Sequence, residues 1–325
     1  MGSGNDTFNV QSTNAITVTT LNTGLGTNTI NVGSLAPTLV GGIVDNIQGQ
    51  LIIVGSGSDT LNVDDTGSEG NKTGTLTSTT LTGLAMGAAG ITYSGLSVLN
   101  ISLGSGDDTL LISSTSTATT TVNGNAGADT FNVQANTGAL NLNGGVGNDT
   151  FNFGSLKPTT GGVVDNLVGL VTVNGGGDTD VVNVDDTGDE ANNNGTLTNA
   201  SLTGLGMGNG INYSLVETLN INLGSGNDTF NVQSTNAITV TTLNTGLGTN
   251  TINVGSLAPT LVGGIVDNIQ GQLIIQGSGS DTLNVDDTGS EGNKTGTLTA
   301  TTLTGLAMGA AGITYSGLSV LNISL

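Results

Sequence analysis

An acidic or amide side chain follows a glycine-rich turn at ten places in the sequence: Asp6, Asn28, Asp59, Asp108, Asp129, Asp149, Asp180, Asp228, Asn250 and Asp281. The next residue is Thr at every one except Asp180, where it is Val181. Carboxylates repeated beside turns, with turn carbonyls next to them, offer the oxygen ligands that a hard cation such as Ca²⁺ requires. Asp6, Asp59, Asp108, Asp129, Asp149, Asp228 and Asp281 are therefore candidate metal ligands. A second acidic cluster occurs three times: Asn62, Asp64, Asp65 and Glu69; Asn183, Asp185, Asp186, Asp189 and Glu190; Asn284, Asp286, Asp287 and Glu291. Adjacent Asp residues in a strand point to opposite faces, but a following Thr-Gly turn can bring them together. Asp64, Asp65, Asp185, Asp186, Asp286 and Asp287 join the candidate ligands, and a solvated acidic loop is the other reading of the same cluster. Asp45, Asp165 and Asp267, each in Val-Asp-Asn, read as turn formers.

The composition narrows the partners. The formal net charge of the 325-residue chain is −21, from 24 carboxylates and only Lys72, Lys157 and Lys294. No basic surface exists to release counterions from phosphates, which argues against nucleic acid and against an anionic membrane surface. Cations are the natural partner. No Cys is present for disulfides or thiolate sites, and no apolar run reaches the ~18 residues of a membrane span. Gly accounts for 55 residues and aromatics for 2%. The interior must be built from Val, Ile, Leu and a few Phe, which suits a narrow, elongated core. Hydrophobic residues make up 35% of the chain and alternate with polar ones, so the glycine and asparagine richness does not indicate disorder.

The elements that must position the carboxylates follow from repetition. Residues 2–103 and 224–325 are the same sequence except at Val54/Gln276 and Ser78/Ala300, and 104–223 is a diverged middle copy. The ten motif positions are spaced 22, 31, 49, 21, 20, 31, 48, 22 and 31 residues apart, so the middle copy holds one additional step. A closed sandwich cannot accept one more internal repeat without rebuilding its sheets. A solenoid can, because each coil touches only its neighbours. The expected fold is all-β: one continuous right-handed parallel β-solenoid over 1–325, of roughly a dozen or more coils. Tandem immunoglobulin-like β-sandwich repeats are the alternative. In Asp6-Thr7-Phe8-Asn9-Val10, period-two alternation sends Phe8 and Val10 inward and Thr7 and Asn9 outward. The same phase at Ile30/Val32, Leu61/Val63, Leu110/Ile112, Phe131/Val133 and Phe151/Phe153 predicts an inner ladder. The 31-residue interval, which carries Pro37, Pro158 or Pro259, reads as a coil with a looped-out insertion, and 49 as two coils.

Gly144-Gly145-Val146-Gly147-Asn148-Asp149-Thr150-Phe151-Asn152 is similar to the glycine-aspartate nonapeptide of RTX β-rolls. Gly124 to Asn132 fits with Asn125 at the second Gly, and residues 2–8 and 224–230 fit its later part. Residues 219–232, LNINLGSGNDTFNV, resemble the repeats of very large bacterial surface proteins. The resemblance implies Ca²⁺ held between successive turns by Asp side chains and turn carbonyls, at Asp6, Asp108, Asp129, Asp149 and Asp228 first. It also implies an extracellular or cell-surface location. Here the motif recurs every 20 or more residues instead of nine, so at most one edge of each coil would bind metal.

Charge repulsion favours a bound ion independently of the resemblance. Like charges stacked one coil apart repel by about 1 kcal/mol even in water-like surroundings, and a bound cation relieves that repulsion. The function expected is mechanical: a segment of a bacterial surface fibre or adhesin, not an enzyme. Homotypic end-to-end association into filaments is a further expectation, because terminal coils carry unpaired strand edges. The in-phase ends suggest a piece of a longer array whose targeting signals lie elsewhere. Two rival functions fit the same architecture less well. A polysaccharide-acting β-helix enzyme would need a base or a carboxylate pair such as Asp64/Asp65, but no His or Arg is present and the cluster recurs in every copy. An ice-binding face would use Thr-x-Thr rows such as Thr17-Val18-Thr19, which appear in only some coils. Tyr93, Tyr213 and Tyr315 share one repeat position and read as packing residues.

Overall fold

A computed structural model describes residues 2–325. Among them are 25 β-strands and no helix. The chain divides into two compact units. Among the described residues, one is formed by 2–151 with Leu167–Asp180, the other by Asn152–Asn166 with Val181–Leu325.

In the first unit, strands stack in parallel and in register. Phe8 lies on Ile30, Ile30 on Leu61, Leu61 on Leu99 and Leu99 on Thr120. The column continues from Thr120 to Leu140 and from Leu140 to Val171. A second column sets Leu21 on Ile53 and Ile53 on Tyr93. In a third, Thr73–Leu76 carries Thr109–Ile112, which carries Thr130–Val133. There Leu110 meets Phe131, and the Phe131 and Phe151 rings stack with centroids 5.1 Å apart and planes 10° from parallel. The second unit repeats the arrangement, with Phe230 on Ile252 and Ile252 on Leu283. Each unit is thus a stack of parallel strands of β-solenoid type. This parallel register excludes the sandwich alternative, whose sheets are antiparallel.

The apolar ladder lies inside as the alternation requires. Ile30, Val32, Leu61, Leu110, Phe131, Phe151, Val182, Phe230 and Ile252 are all buried, while Phe8 on the first coil is 43% exposed. The asparagines depart from expectation. Asn31, Asn132, Asn231 and Asn253 face away from the apolar ladder yet are buried. In one ladder each amide donates to the next: Asn31 to Asn9 at 2.9 Å, Asn62 to Asn31 at 2.9 Å and Asn100 to Asn62 at 2.8 Å. Identical amides stacked one coil apart satisfy and cover one another.

The long interval also differs from two plain coils. It contains an antiparallel excursion in which Thr75 pairs with Thr82, Leu76 with Leu81 and Leu81 with Ile91. Copies of this hairpin occur at Asn194–Leu197 with Ser201–Gly204, and at Gly296–Leu298 with Thr302–Gly305. After the first excursion the Asp-Thr strand Thr109–Ile112 stacks on Thr73–Leu76, whereas Thr60–Val63 is continued by Val98–Ile101. After the second, Thr229–Val232 stacks likewise on Asn194–Leu197. The motif therefore forms three shorter ladders, one per sequence copy, in place of a single long one.

Candidate cation sites

The motif side chain has a backbone task. Its Oδ1 accepts the N–H of the residue stacked on it in the preceding coil. In the first copy Asp6 N donates to Asn28 Oδ1 at 2.9 Å, and Asn28 N donates to Asp59 Oδ1 at 2.8 Å. In the next ladder Lys72 N donates to Asp108, Asp108 N to Asp129, Asp129 N to Asp149 and Asp149 N to Asp180, at 2.7–2.8 Å. The third copy runs from Asn193 N to Asp228, Asp228 N to Asn250 and Asn250 N to Asp281, all at 2.8 Å. An amide oxygen performs this task as well as a carboxylate, which explains why Asn28 and Asn250 stand among the aspartates.

The second oxygen separates the ladders. Asp59 Oδ2 accepts from Ser56 N and Thr23 Oγ1, both at 2.7 Å, and the Asn28 amide adds a second donor to Oδ1 at 2.9 Å. Burial works to raise the Asp59 pKa, but these donors outweigh it and hold the carboxyl below its usual value. Asp108 Oδ2 accepts from Gly104 N at 3.2 Å. The turns before Asp129 and Asp149 are one residue longer, counted from Gly124 and Gly144 instead of Gly104. In them the Oδ2 atoms are buried and accept nothing. Burial, reinforced by neighbouring carboxylates, pushes Asp129 up to about 7 and Asp149 up to about 6. Asp149 Oδ2 points at the bare Cα of Gly144. A Cβ there would lie 2.1 Å from that oxygen and 2.5 Å from the Gly175 carbonyl oxygen. A carboxylate and a carbonyl thus face the same small space with no donor between them.

The second acidic cluster is split by the structure. Asp64, Asp185 and Asp286 pin the inserted loops. Asp64 accepts Gly42 N at 3.0 Å through Oδ2 and the Thr66 hydroxyl at 2.6 Å through Oδ1. Asp286 does the same with Gly264 and Thr288. Asp185 takes the Thr187 hydroxyl at 2.6 Å and the Lys157 ammonium at 3.2 Å. Glu69, Glu190 and Glu291 are exposed.

Asp65 and Asp287 are buried and hold lysines. Lys72 Nζ bridges Asp45 and Asp65, 3.3 Å from Asp65 Oδ2. Lys294 Nζ bridges Asp267 and Asp287, 3.0 Å from Asp287 Oδ1. Asp45 and Asp267 are therefore ion-pair partners as well as turn residues, a role their Val-Asp-Asn context does not signal. Burial raises Asp65 to about 6 against the lowering pull of the Val44 N–H and Lys72. In the middle copy the equivalents Asp165 and Asp186 stand with Asp189, their carboxylate oxygens within 4.8 Å of one another. Asp186 is pushed to about 7 by burial and by the charges of Asp189, Asp165 and Asp228. Aligning the copies gives the signal that spacing within one copy lacks: Lys72 and Lys294 become Asn193, and Ser68 and Ser290 become Asp189.

The three tyrosines pack at equivalent places. Tyr93, Tyr213 and Tyr315 are buried and donate through the hydroxyl to the carbonyls of Thr77, Thr198 and Thr299. The chain matches no family model and no curated protein.

Proposed function

We propose that this chain is a structural, calcium-stabilised segment of a secreted or cell-surface bacterial fibre or adhesin, built as a right-handed parallel β-solenoid and without catalytic activity. The observation that carries the reading is the ladder Asp108–Asp129–Asp149–Asp180. These buried carboxylates stand one coil apart with no intervening amide. In an interior of low effective dielectric, stacked charges of one sign oppose the fold unless something neutralises them. The oxygens of Asp129 and Asp149 that accept nothing lie in the longer glycine turns, where a carbonyl faces the same space. Oxygen-only donors of this kind suit Ca²⁺, which takes carboxylates and backbone carbonyls together and tolerates irregular geometry.

A scaffold role agrees with the rest of the chain. The in-register ladders make every coil a template for the next, the composition lacks His and Arg, and −21 of net charge keeps a long array soluble. Calcium then acts as a folding ligand, ordering the coils where the medium supplies it. The test is calorimetric titration of chelator-stripped protein with calcium. Heat of binding in the wild type, reduced in Asp129→Asn/Asp149→Asn, supports the reading, because Asn keeps the Oδ1 acceptor and removes the charge. Binding unchanged by that double substitution removes calcium from this ladder.

A further inference from the structure

We infer that Asp165, Asp186 and Asp189 of the middle copy form a second divalent-cation site, separate from the glycine turns, whose place in the flanking copies is taken by a lysine ammonium. The inference deepens the proposed function and rests on it only for the choice of calcium as the ion.

The flanking copies show what this position requires. Lys72 Nζ lies between Asp45 and Asp65 and 3.5 Å from the Leu84 carbonyl oxygen; Lys294 Nζ lies between Asp267 and Asp287. An ammonium surrounded by two carboxylates and a carbonyl marks a cation position lined by oxygen. It is open to solvent, since Asp45, Ser68, Lys72 and Ala85 line a depression of about 500 Å³.

The middle copy changes this position in three coordinated ways. Asn193 replaces the lysine, so the built-in cation is gone. Asp189 replaces Ser68, adding a third carboxylate that the Asn193 amide holds at 2.6 Å. Gly206 replaces Ala85. A Cβ on Gly206 would lie 1.9 Å from Asp165 Oδ1, so this glycine makes room for the Asp165 carboxylate. The backbone alone does not demand glycine, because Ala85 and Ala307 hold the same left-handed conformation at φ 59° and 62°. Two carboxylates with one ammonium carry a net single negative charge. Three carboxylates without it carry three, and a divalent ion restores the flanking value.

A further observation points to a ligand. Asp186 is only 1% exposed, and its Oδ1 accepts Val164 N at 3.0 Å. Its other oxygen receives no hydrogen bond from the described residues, and one carboxylate oxygen from each of Asp165, Asp186 and Asp189 lies within 4.8 Å of the other two. In the flanking copies the corresponding carboxylates meet the lysine. Asp228, the other acidic group near this position, has its Oδ1 occupied by Asn193 N at 2.8 Å.

The test is calcium stoichiometry of the full chain by calorimetry after chelator treatment, in the wild type and in Asp189→Ser/Asn193→Lys, which rebuilds the flanking arrangement. The expected result is one calcium fewer per chain in the double variant, together with a higher melting temperature than wild type in chelator. Gly206→Ala is expected to weaken the same site at least tenfold by displacing Asp165, and it serves as the second variant should the double one fold poorly. Asp129→Asn/Asp149→Asn is expected to leave this ion in place. Unchanged stoichiometry in Asp189→Ser/Asn193→Lys with unchanged affinity in Gly206→Ala overturns the site while leaving the glycine-turn reading standing. A wild type that binds no calcium overturns both.

Discussion

The middle copy and its two near-identical flanks use the same strands and turns but dispose of charge differently. In the first flank Asn28 separates Asp6 from Asp59, and Asp59 receives donors on both oxygens. Its carboxyl stays below its usual pKa despite burial. Lys72 and Lys294 neutralise the buried Asp65 and Asp287. The ladder from Asp108 to Asp180 has no such amide, and the Asp165–Asp186–Asp189 cluster has no lysine. Asp59 and Asp129 are alike in being hidden from solvent, and the donors each receives differ. The flanks carry their own, and on the proposed reading the middle copy takes protons or cations from the medium.

Removing a built-in cation gives the largest expected effect. Lys72→Met keeps the length of the side chain but strands Asp65 in the interior, at a cost of about 3 kcal/mol. The melting temperature should fall by several degrees, with the loss partly recovered by calcium. Equal stability in Lys72→Met and wild type would erase the contrast between the copies.

Next in size is the contrast between two aspartates of one motif. Asp59→Asn exchanges an acceptor-only group for one bearing an N–H₂ that must face donors, and should cost about 2 kcal/mol. Asp129→Asn should instead stabilise the chelator-treated protein at pH 7.5, by about 1 kcal/mol. Denaturation curves on the two variants test the pair together, and losses of equal sign and size would contradict the account.

Acidification comes third. Asp129, Asp149 and Asp186 have folded pKa values of about 7, 6 and 7, above the ordinary 3.8. The charges facing them are Asp107, Asp108 and Asp149 for Asp129, Asp178 and Asp180 for Asp149, and Asp165, Asp189 and Asp228 for Asp186. A raised folded pKa means that the folded state binds protons more tightly than the unfolded chain. Their contribution is therefore complete below about pH 4 and lost as pH rises through 6 to 7. In chelator the melting temperature should rise between pH 8 and pH 5.5, and calcium should flatten that slope. The smallest effect, about 1 kcal/mol, is expected for Asn31→Ala, which interrupts one amide ladder without moving a charge.

The parallel stack was readable from the sequence because its signals are local and repeated. Alternation in Phe131-Asn132-Val133 and Phe151-Asn152-Phe153 set the inward face, and the additional 20-residue step required an architecture that adds coils. The three-ladder arrangement was less legible. Thr75 and Thr82 pair across a hairpin whose strands carry the same Thr-Leu alternation as the coils, so composition does not distinguish antiparallel excursion from parallel coil. The acidic side chains were legible as a repeated pattern, but the partners that occupy them were not. Asp64, Asp185 and Asp286 hold loop backbone, a task fixed by contacts more than twenty residues away, as with Gly42. Asp45 and Lys72 are likewise distant in sequence, and only the fold reveals their pairing.

Thermal melting of the full chain at pH 7.5, in chelator and then in excess calcium, probes this division of charge most directly. The account predicts a rise on the order of 5 °C or more with calcium, as expected when an ion binds only the folded state well above its Kd. Superimposable curves would show that the buried carboxylates of the middle copy need no cation.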